Sequence, residues 1–577
     1  MLATDVLQTS PTLGLSFALG VGLHVFLFRH GEWDLSAIRL ITVFTLVFAG
    51  IVGATAAAPA LAPFVARPID SVDLLDACRA AGIYASMLVY RGCFHRLNRF
   101  PGPFMARFSN LNVTFKIWNR MHLHEDVRKL HEKYGDVDQR NSRSTSPAPS
   151  TPCSWRRTAT KARGTTSSTQ WSRCRWSGTR TRTPGGGRPG NTASPPKVRQ
   201  PPLSPTLITT MLTTKSALRE YEPRVLKYTS QLLAGIASSA NTPLNASLWF
   251  NFYSFDVMGE FSLGRGFRML EDGESHLYMD GLHRETLAVG RFTHAMWALP
   301  LYRRLSMLWD ADLRRFKAWV ARQVGRRIGE RPDAADIFTW VLEDYEARGS
   351  KAPQDLLNLF GDCILITVAG SDTVAAVLSC LFMELARHPD EYEKLQGEVD
   401  EYFRHHDKPE HAPLSKLRYL QACIDEALRL HPPVPSGVQR MTPPEGLQVD
   451  DVWLPGDTIV FVPSYTQYRG RTSCFVDAEC KLTKGNLPDE FIPERWIDRP
   501  ELVKNATPFV PFSTGHDVCI GKQLGLLETR FVVSAVVHEY NVRYAEGQTG
   551  EKFLEDNKDT GTLTVGPLNL VFTPREA

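Results

Sequence analysis

The sequence predicts a mainly α fold with a small β lobe, preceded by N-terminal transmembrane helices. Three observations predict it. Before residue 91 there are long apolar runs with few charges. Beyond residue 213 most of the chain carries apolar residues near i, i+3 and i+4 with charges opposite, the period of a surface helix. The exceptions are short: Pro433 to Arg440 and Val452 to Val460 read as brief strands and a turn at Pro455-Gly456-Asp457.

The apolar runs come first. Pro11 to Phe28 is interrupted only by Ser16 and His24, and Leu40 to Val65 is uncharged. Both are long enough, or nearly so, to cross a bilayer. Leu74 to Tyr90 is weaker, because Asp76 and Arg79 sit in its first turns. A surface amphipathic helix is the alternative for this third run. Arg29 and Arg39 lie between runs one and two, Asp70, Asp73 and Asp76 between two and three, and Arg91, His95, Arg96 and Arg99 after the third. The positive-inside rule then puts the amino end in the lumen and everything after Arg91 in the cytosol. A cleaved signal peptide would carry Lys or Arg ahead of its apolar core, and none is present. Residues 1–99 therefore read as a membrane anchor with two to three spans. Phe100-Pro101-Gly102-Pro103-Phe104 cannot continue a helix, so the chain breaks direction there.

Residues 100–577 are long enough for one large catalytic domain. The net charge of +4 does not argue for nucleic acid. Ten cysteines are scattered without a CxxC pair, which indicates neither a zinc site nor a disulfide framework. Helical patterns run over Leu123 to Gly135, Glu220 to Ser239, Phe252 to Leu263, Arg303 to Glu330, Asp355 to Arg387, Tyr419 to Leu430 and Lys522 to Tyr540.

The chemistry concentrates at Pro508 to Gly521. Cys519 sits in a loop with Gly515 and Gly521, immediately before the last helical pattern. Free N–H groups and the helix dipole stabilise a thiolate at such a place. The two glycines let the backbone turn and approach a flat object, and Phe512 is placed to pack beside the sulfur. A thiolate so held suits haem iron, where the sulfur favours O–O cleavage. The alternative for a lone cysteine is a buried structural thiol. The spacing F-x-x-G-x-x-x-C-x-G, formed by Phe512, Gly515, Cys519 and Gly521, resembles the haem-binding loop of the cytochrome P450 family.

Distant stretches carry the same resemblance. Ala369-Gly370-Ser371-Asp372-Thr373 lies inside the longest helical pattern. A Gly beside an Ala thins the helix surface, and a Thr hydroxyl bonding back to a carbonyl bends it. Asp372 and Thr373 can pass protons as a general acid pair. The pentapeptide resembles the family's A-G-x-D/E-T oxygen-binding motif. By that resemblance Ala369 and Gly370 adjoin the cofactor, and some of Phe360, Ile364, Ile366 and Ala369 line the substrate pocket. Glu426 and Arg429 share a helix face, and Phe491-Ile492-Pro493-Glu494-Arg495-Trp496 follows downstream. Together these resemble the family's E-x-x-R and P-E-R-F/W elements, which implies a buried network of Glu426, Arg429 and Arg495 with a structural role. Arg440 stands where the family has a basic residue directed at a haem propionate. The Phe100 to Phe104 break resembles the family's proline-rich hinge.

Two segments depart from this pattern. Gln139 to Arg219 contains no Asp or Glu, and residues 139–212 are rich in Ser, Thr, Pro, Gly and Arg. Composition predicts disorder there. The family's first sheet and its Trp and Arg/His contacts to the propionates fall in this stretch, so a wrongly read frame or splice junction is the reading, with a disordered insertion as the alternative. Cys474 to Leu487 has no period and reads as a retained intron or a loop. Within the cysteine loop Asp517 stands where the family commonly has Arg or His.

The resemblance implies a helical prism with a β-rich lobe, holding haem b with Cys519 as the thiolate ligand to iron. It implies a monooxygenase of the endoplasmic reticulum membrane that uses O2 and electrons from NADPH through a membrane-bound reductase. It would hydroxylate or epoxidise an apolar small molecule, such as a fungal terpenoid or polyketide. Two other readings stay open: a haem-thiolate isomerase or dehydratase, which an intact Asp372-Thr373 pair argues against, and an inactive product of a frame-disrupted gene.

Overall fold

In a computed structural model the structure describes residues 2–28, 42, 78–108, 111–134, 137–141, 144–147, 215–295, 298, 299, 302, 303, 305, 306, 310–330, 336–347, 353–449, 452–469, 488–503, 506–515 and 518–576. The chain divides into two units. One comprises Met1–Trp118, Val137–Thr145 and Arg291–Asp310, the other the rest.

The first unit holds helix α1, Leu2–Leu23, and helix α2, 78–89. They pack backbone to backbone. A Cβ on Gly20 would lie 2.1 Å from the Arg79 carbonyl oxygen, and one on Gly82 would lie 2.2 Å from that of Phe17. His24 Nδ1 and Ser86 Oγ are 2.9 Å apart beside this contact. Among the described residues Leu13–Leu27 is apolar but short for a membrane crossing. The second expected span, Leu40 to Val65, lies outside the described residues apart from residue 42.

The second unit is built on two apolar helices, α5, Ala246–Leu263, and α9, Pro353–Arg387. Helix α5 is apolar on nearly every side, so it is buried along almost its whole length. Asn245 caps its start by accepting from the Leu248 amide, and Gly264, at φ +72°, ends it in the left-handed region. Leu356–Arg387 is long and apolar enough to cross a membrane, yet most of it is buried inside the protein, so it is a core helix. The two helices meet where Gly370 faces Met258: an added Cβ would lie 2.4 Å from the Met258 sulfur. Phe250 stacks on Phe382 at 5.3 Å, and Ser262 Oγ and Thr367 Oγ1 are 2.9 Å apart.

Around this pair stand α3 (Leu123–Tyr134), α4 (Lys215–Ser238), α6 (Leu277–Phe292), α7 (Ala311–Gly329), α8 (Ile337–Ala347), α10 (Pro389–Phe403), α11 (Arg418–Leu430) and α12 (Lys522–Glu539). Of the helical pattern from 303, residues 303, 305 and 306 are helical and α7 runs from Ala311; α6, α8 and α10 were not predicted. The strands are short, as expected. Three of them, Pro243–Asn245, Asn569–Pro574 and Tyr540–Tyr544, form an antiparallel sheet. Arg440–Met441 pairs with Ile459–Val460, Leu447–Val449 with Val452–Leu454, and Lys558–Asp559 with Leu563–Thr564. Val137–Asn141 and Ser144–Pro147 are also strands, although composition predicts disorder from residue 139. Residues 148–214 and the aperiodic stretch 474–487 lie outside the described residues.

The Gly370–Met258 contact generates a test. Gly370→Ala is expected to cost about 1–3 kcal/mol by overpacking, and the double variant with Met258→Ala to recover part of it. Chemical denaturation of the four-variant cycle checks this; equal losses in both backgrounds would place the helix contact elsewhere.

Candidate active site

The site is assembled from the end of α11 outward. Glu426 has no exposed side-chain surface and neither do Arg429 and Arg495. Arg429 donates from Nε to Oε2 at 2.9 Å and from Nη2 to Oε1 at 2.8 Å, the two-pronged geometry a guanidinium offers a carboxylate. Arg495 Nε donates to Oε1 at 3.2 Å, and the Ile492 amide to the same oxygen at 3.0 Å. Burial pushes the Glu426 carboxyl up, but Arg429, Arg495 and the Ile492 amide outweigh it and hold the group below its ordinary value. The network expected from the sequence is therefore assembled.

The sequence did not indicate the next link. Trp496 Nε1 donates to Glu426 Oε2 at 2.9 Å, and its ring packs on Phe509 at 4.6 Å. Tyr468 closes on Phe509 from another side at 5.3 Å. Phe509 opens the cysteine loop, so the buried carboxylate fixes the loop through one indole. An indole at the end of a P-E-R-W stretch was the available signal.

The loop closes on itself where the Cys519 amide donates to the Phe512 carbonyl at 2.8 Å. Ser513 and Gly515 take φ of +60° and +76°, so Gly515 serves the turn as expected and Ser513 shares the work. Gly521 does not: its φ is −81°. A Cβ there would stand at ordinary contact distance, 3.9 Å, from the Cys519 sulfur. The Phe512 ring lies 5.6 Å from Lys522 Nζ, at the first residue of α12. His516 and Asp517 lie outside the described residues.

Cys519 itself is exposed, as are Val518 and Ile520 on either side, whereas Cys363, Cys380 and Cys423 are buried. Enough protein surrounds the sulfur that burial raises the thiol's pKa; the Gly521 and Lys522 amides and the Lys522 ammonium pull the other way without overcoming it. The helix terminus alone thus does not produce the thiolate, contrary to the simplest expectation. A bound cation at the sulfur would. One thiolate with apolar neighbours is too small a donor set for zinc, which takes three or four protein ligands. It fits an iron whose other ligands come with its own macrocycle, as in haem. Among the described residues no other group of metal-ligating side chains gathers.

The opposing wall belongs to α9. Leu357, Gly361, Leu365 and Ala369 recur every fourth residue and are exposed, and half-exposed Thr373 ends the stripe. Thr373 Oγ1 donates to the Ala369 carbonyl at 2.8 Å, the predicted back-bond. The next residue, Val374, reaches within 3.7 Å of the place a Cβ would occupy on Gly525 of α12, so the stripe ends beside the cysteine helix. Phe360, Ile364 and Ile366 are half-buried. Gly370 and Asp372 lie away from the stripe. The thin surface at Gly370 is filled by Met258, so it serves helix packing rather than a groove. Asp372 is 3% exposed and meets His283 Nε2 at 3.2 Å and Thr562 Oγ1 at 3.3 Å. Arg440 is half-buried on its strand, and its Nη1 donates to the Gln439 carbonyl at 3.1 Å.

Comparison with known proteins decides the family. A family model described as Cytochrome P450 matches residues 101–572. The chain belongs to the cytochrome P450 family. Cytochrome P450 monooxygenase FCK2 of Fusarium pseudograminearum (strain CS3096) is 43% identical over 574 residues, covering 97% of each chain. Tryprostatin B 6-hydroxylase of Aspergillus fumigatus is 31% identical over 573 residues, covering 96% of this chain and 95% of its own. The crystal structure of a cytochrome P450DA heme domain superposes with a TM-score of 0.52 at 17% identity, over 64% of this chain and 76% of that one. That likeness shows the cytochrome P450 fold.

The buried carboxylate gives a pH-dependent test. A carboxyl held below its ordinary value of 4.5 contributes stability that is full above that pH and is lost as pH falls through the lower folded value. Glu426→Gln is expected to lose about 3–5 kcal/mol at neutral pH and to show a flatter fall in thermal midpoint below pH 4.5 than wild type. Parallel pH profiles would remove Glu426 from the account.

Proposed function

We propose that this cytochrome P450 is a monooxygenase that inserts one oxygen atom into an apolar small molecule of fungal secondary metabolism, by hydroxylation or epoxidation. The observation that carries the reading is the pairing of an exposed Cys519 thiol at the start of α12 with an exposed apolar stripe of α9 ending at Thr373. Relatives named as monooxygenases and as a tryprostatin B hydroxylase support the reaction class.

When bound, haem b supplies the reductive activation of O2. Cys519 would hold its iron, with Gly521 beside the sulfur and Phe512 closing the loop behind it. Arg440 would meet a propionate. Leu365 and Ala369 would line the apolar pocket and exclude water, and Thr373 would hold a proton over it with its hydroxyl, supplied by Asp372. Electrons would come from NADPH through a membrane-bound reductase docking near Lys522. The apolar α1 and α2 segments support an anchor in the endoplasmic reticulum membrane with the catalytic domain in the cytosol.

One observation favours a second reading. The acid-free stretch from Gln139 to Arg219 supports a misread frame, in which case this translation is an inactive version of a monooxygenase gene. Sequencing the transcript across codons 136 to 216 separates the two. An open frame encoding these residues, shared by related genes, would end the second reading.

Incubation of membranes with NADPH, reductase, labelled dioxygen and a panel of apolar metabolites tests the first. One labelled oxygen atom per product is expected. Turnover that needs neither NADPH nor reductase would favour an isomerase or dehydratase instead.

A further inference from the structure

We propose that His283 is a positioning residue of the reaction, holding and reloading the Asp372 carboxyl with protons drawn from the adjoining cavity. The inference rests on the proton-supplying role given to Asp372 above.

Asp372 presents a supply problem. It is buried, and among the described residues its hydrogen-bond partners are His283 Nε2 on Oδ1 at 3.2 Å and Thr562 Oγ1 on Oδ2 at 3.3 Å. No Lys or Arg pairs with it among those residues. A carboxyl that gives up a proton must regain one through a neighbour. The Thr562 hydroxyl donates a proton it does not readily lose. An imidazole gains a proton on one nitrogen and yields it from the other near neutral pH.

The placement of His283 suits that exchange. It comes from α6, is partly exposed, and lines a cavity of about 160 Å³. Asn245, Ser247, Asn251 and Thr564 line the same cavity, along with Asp372 itself, and the rest of its wall is largely apolar, with Leu248, Met279 and Leu563. Such a space holds several waters with polar partners. The Phe255 ring stands edge-on to His283 at 5.5 Å and limits its movement. Tyr278, also on α6, senses the Asp372 charge, but burial pushes its hydroxyl far above neutral, so it does not compete as a donor.

The step balances. A hydronium arriving from solvent through the cavity water gives a proton to Nδ1 and becomes water. The Nε2–H bond breaks, an Oδ1–H bond forms, and the imidazolium becomes neutral imidazole. No electrons move in this step. Monooxygenation consumes protons as well as reductase-supplied electrons to release one oxygen atom as water, and this route restores the proton that Asp372 gives up.

The test uses the full-length holoenzyme with its reductase. His283→Gln keeps an N–H for Asp372 but cannot relay a proton. It is expected to retain haem, to lose about tenfold or more in product formation, to release a larger share of reduced oxygen as hydrogen peroxide, and to show a larger solvent isotope effect. Leu248→Trp, which narrows the cavity from its lining and leaves both members of the pair in place, is expected to do the same more weakly. A readout without turnover is carbethoxylation of His283 by diethyl pyrocarbonate, followed by mass spectrometry. It is expected to run several-fold faster in Asp372→Ala, where no side-chain oxygen occupies the ring nitrogen. Unchanged labelling, or peroxide release and isotope effect at wild-type values in His283→Gln, would overturn the proposal. If Asp372→Asn alone impairs turnover, only the role of His283 falls. If neither variant does, the role of Asp372 falls with it.

Discussion

A carboxylate cut off from water holds this molecule's chemistry in place. Glu426 accepts from Arg429, Arg495, Trp496 and the Ile492 amide at once. Removing two charges from water is costly, and the attraction between them offsets that cost only when the remaining hydrogen-bonding positions are filled. Here they are: Arg429 also donates to the Pro488 and Glu490 carbonyls. The arrangement therefore admits one geometry for the strap from Pro488 to Trp496. Because Trp496 packs on Phe509, that geometry passes to the loop carrying Cys519.

The second constraint is the division of α9 into two faces. One buries Gly370 against Met258 and Asp372 against α6 and the Thr562 turn. The other leaves Leu365, Ala369 and Thr373 open. Rigid packing on the first face is what allows the second to present a defined surface. A polar pentapeptide in an apolar core helix is tolerated because each polar side chain is partnered: Ser371 bonds back to the Thr367 carbonyl at 2.6 Å, Thr373 bonds back to that of Ala369, and Asp372 meets His283 and Thr562.

Much of this was legible in the sequence, and what was not has a common cause. The Glu426–Arg429 pair is visible because both residues lie on one helix face, and Arg495 because its proline-flanked stretch is distinctive. Cys519 and Gly515 are visible because a turn and a helix start are local events. Gly370 was misread because a glycine's use depends on what stands opposite it, here the Met258 side chain. His283 and Thr562 were missed because they reach Asp372 from 89 and 190 residues away, and no local pattern marks such a meeting. Helices α6, α8 and α10 carry no distinctive short motif, although α6 has an amphipathic period that marks it as a helix.

The central claim is that the Cys519 sulfur is the protein's ligand to a haem iron. The most direct measurement is the reduced carbon-monoxide difference spectrum of membranes carrying this chain, set beside Cys519→Ala. A thiolate-type Soret band in the first and none in the second is the result this account requires. The same band in Cys519→Ala would contradict it, as would its absence from both this chain and a version with the frame across residues 139–212 restored.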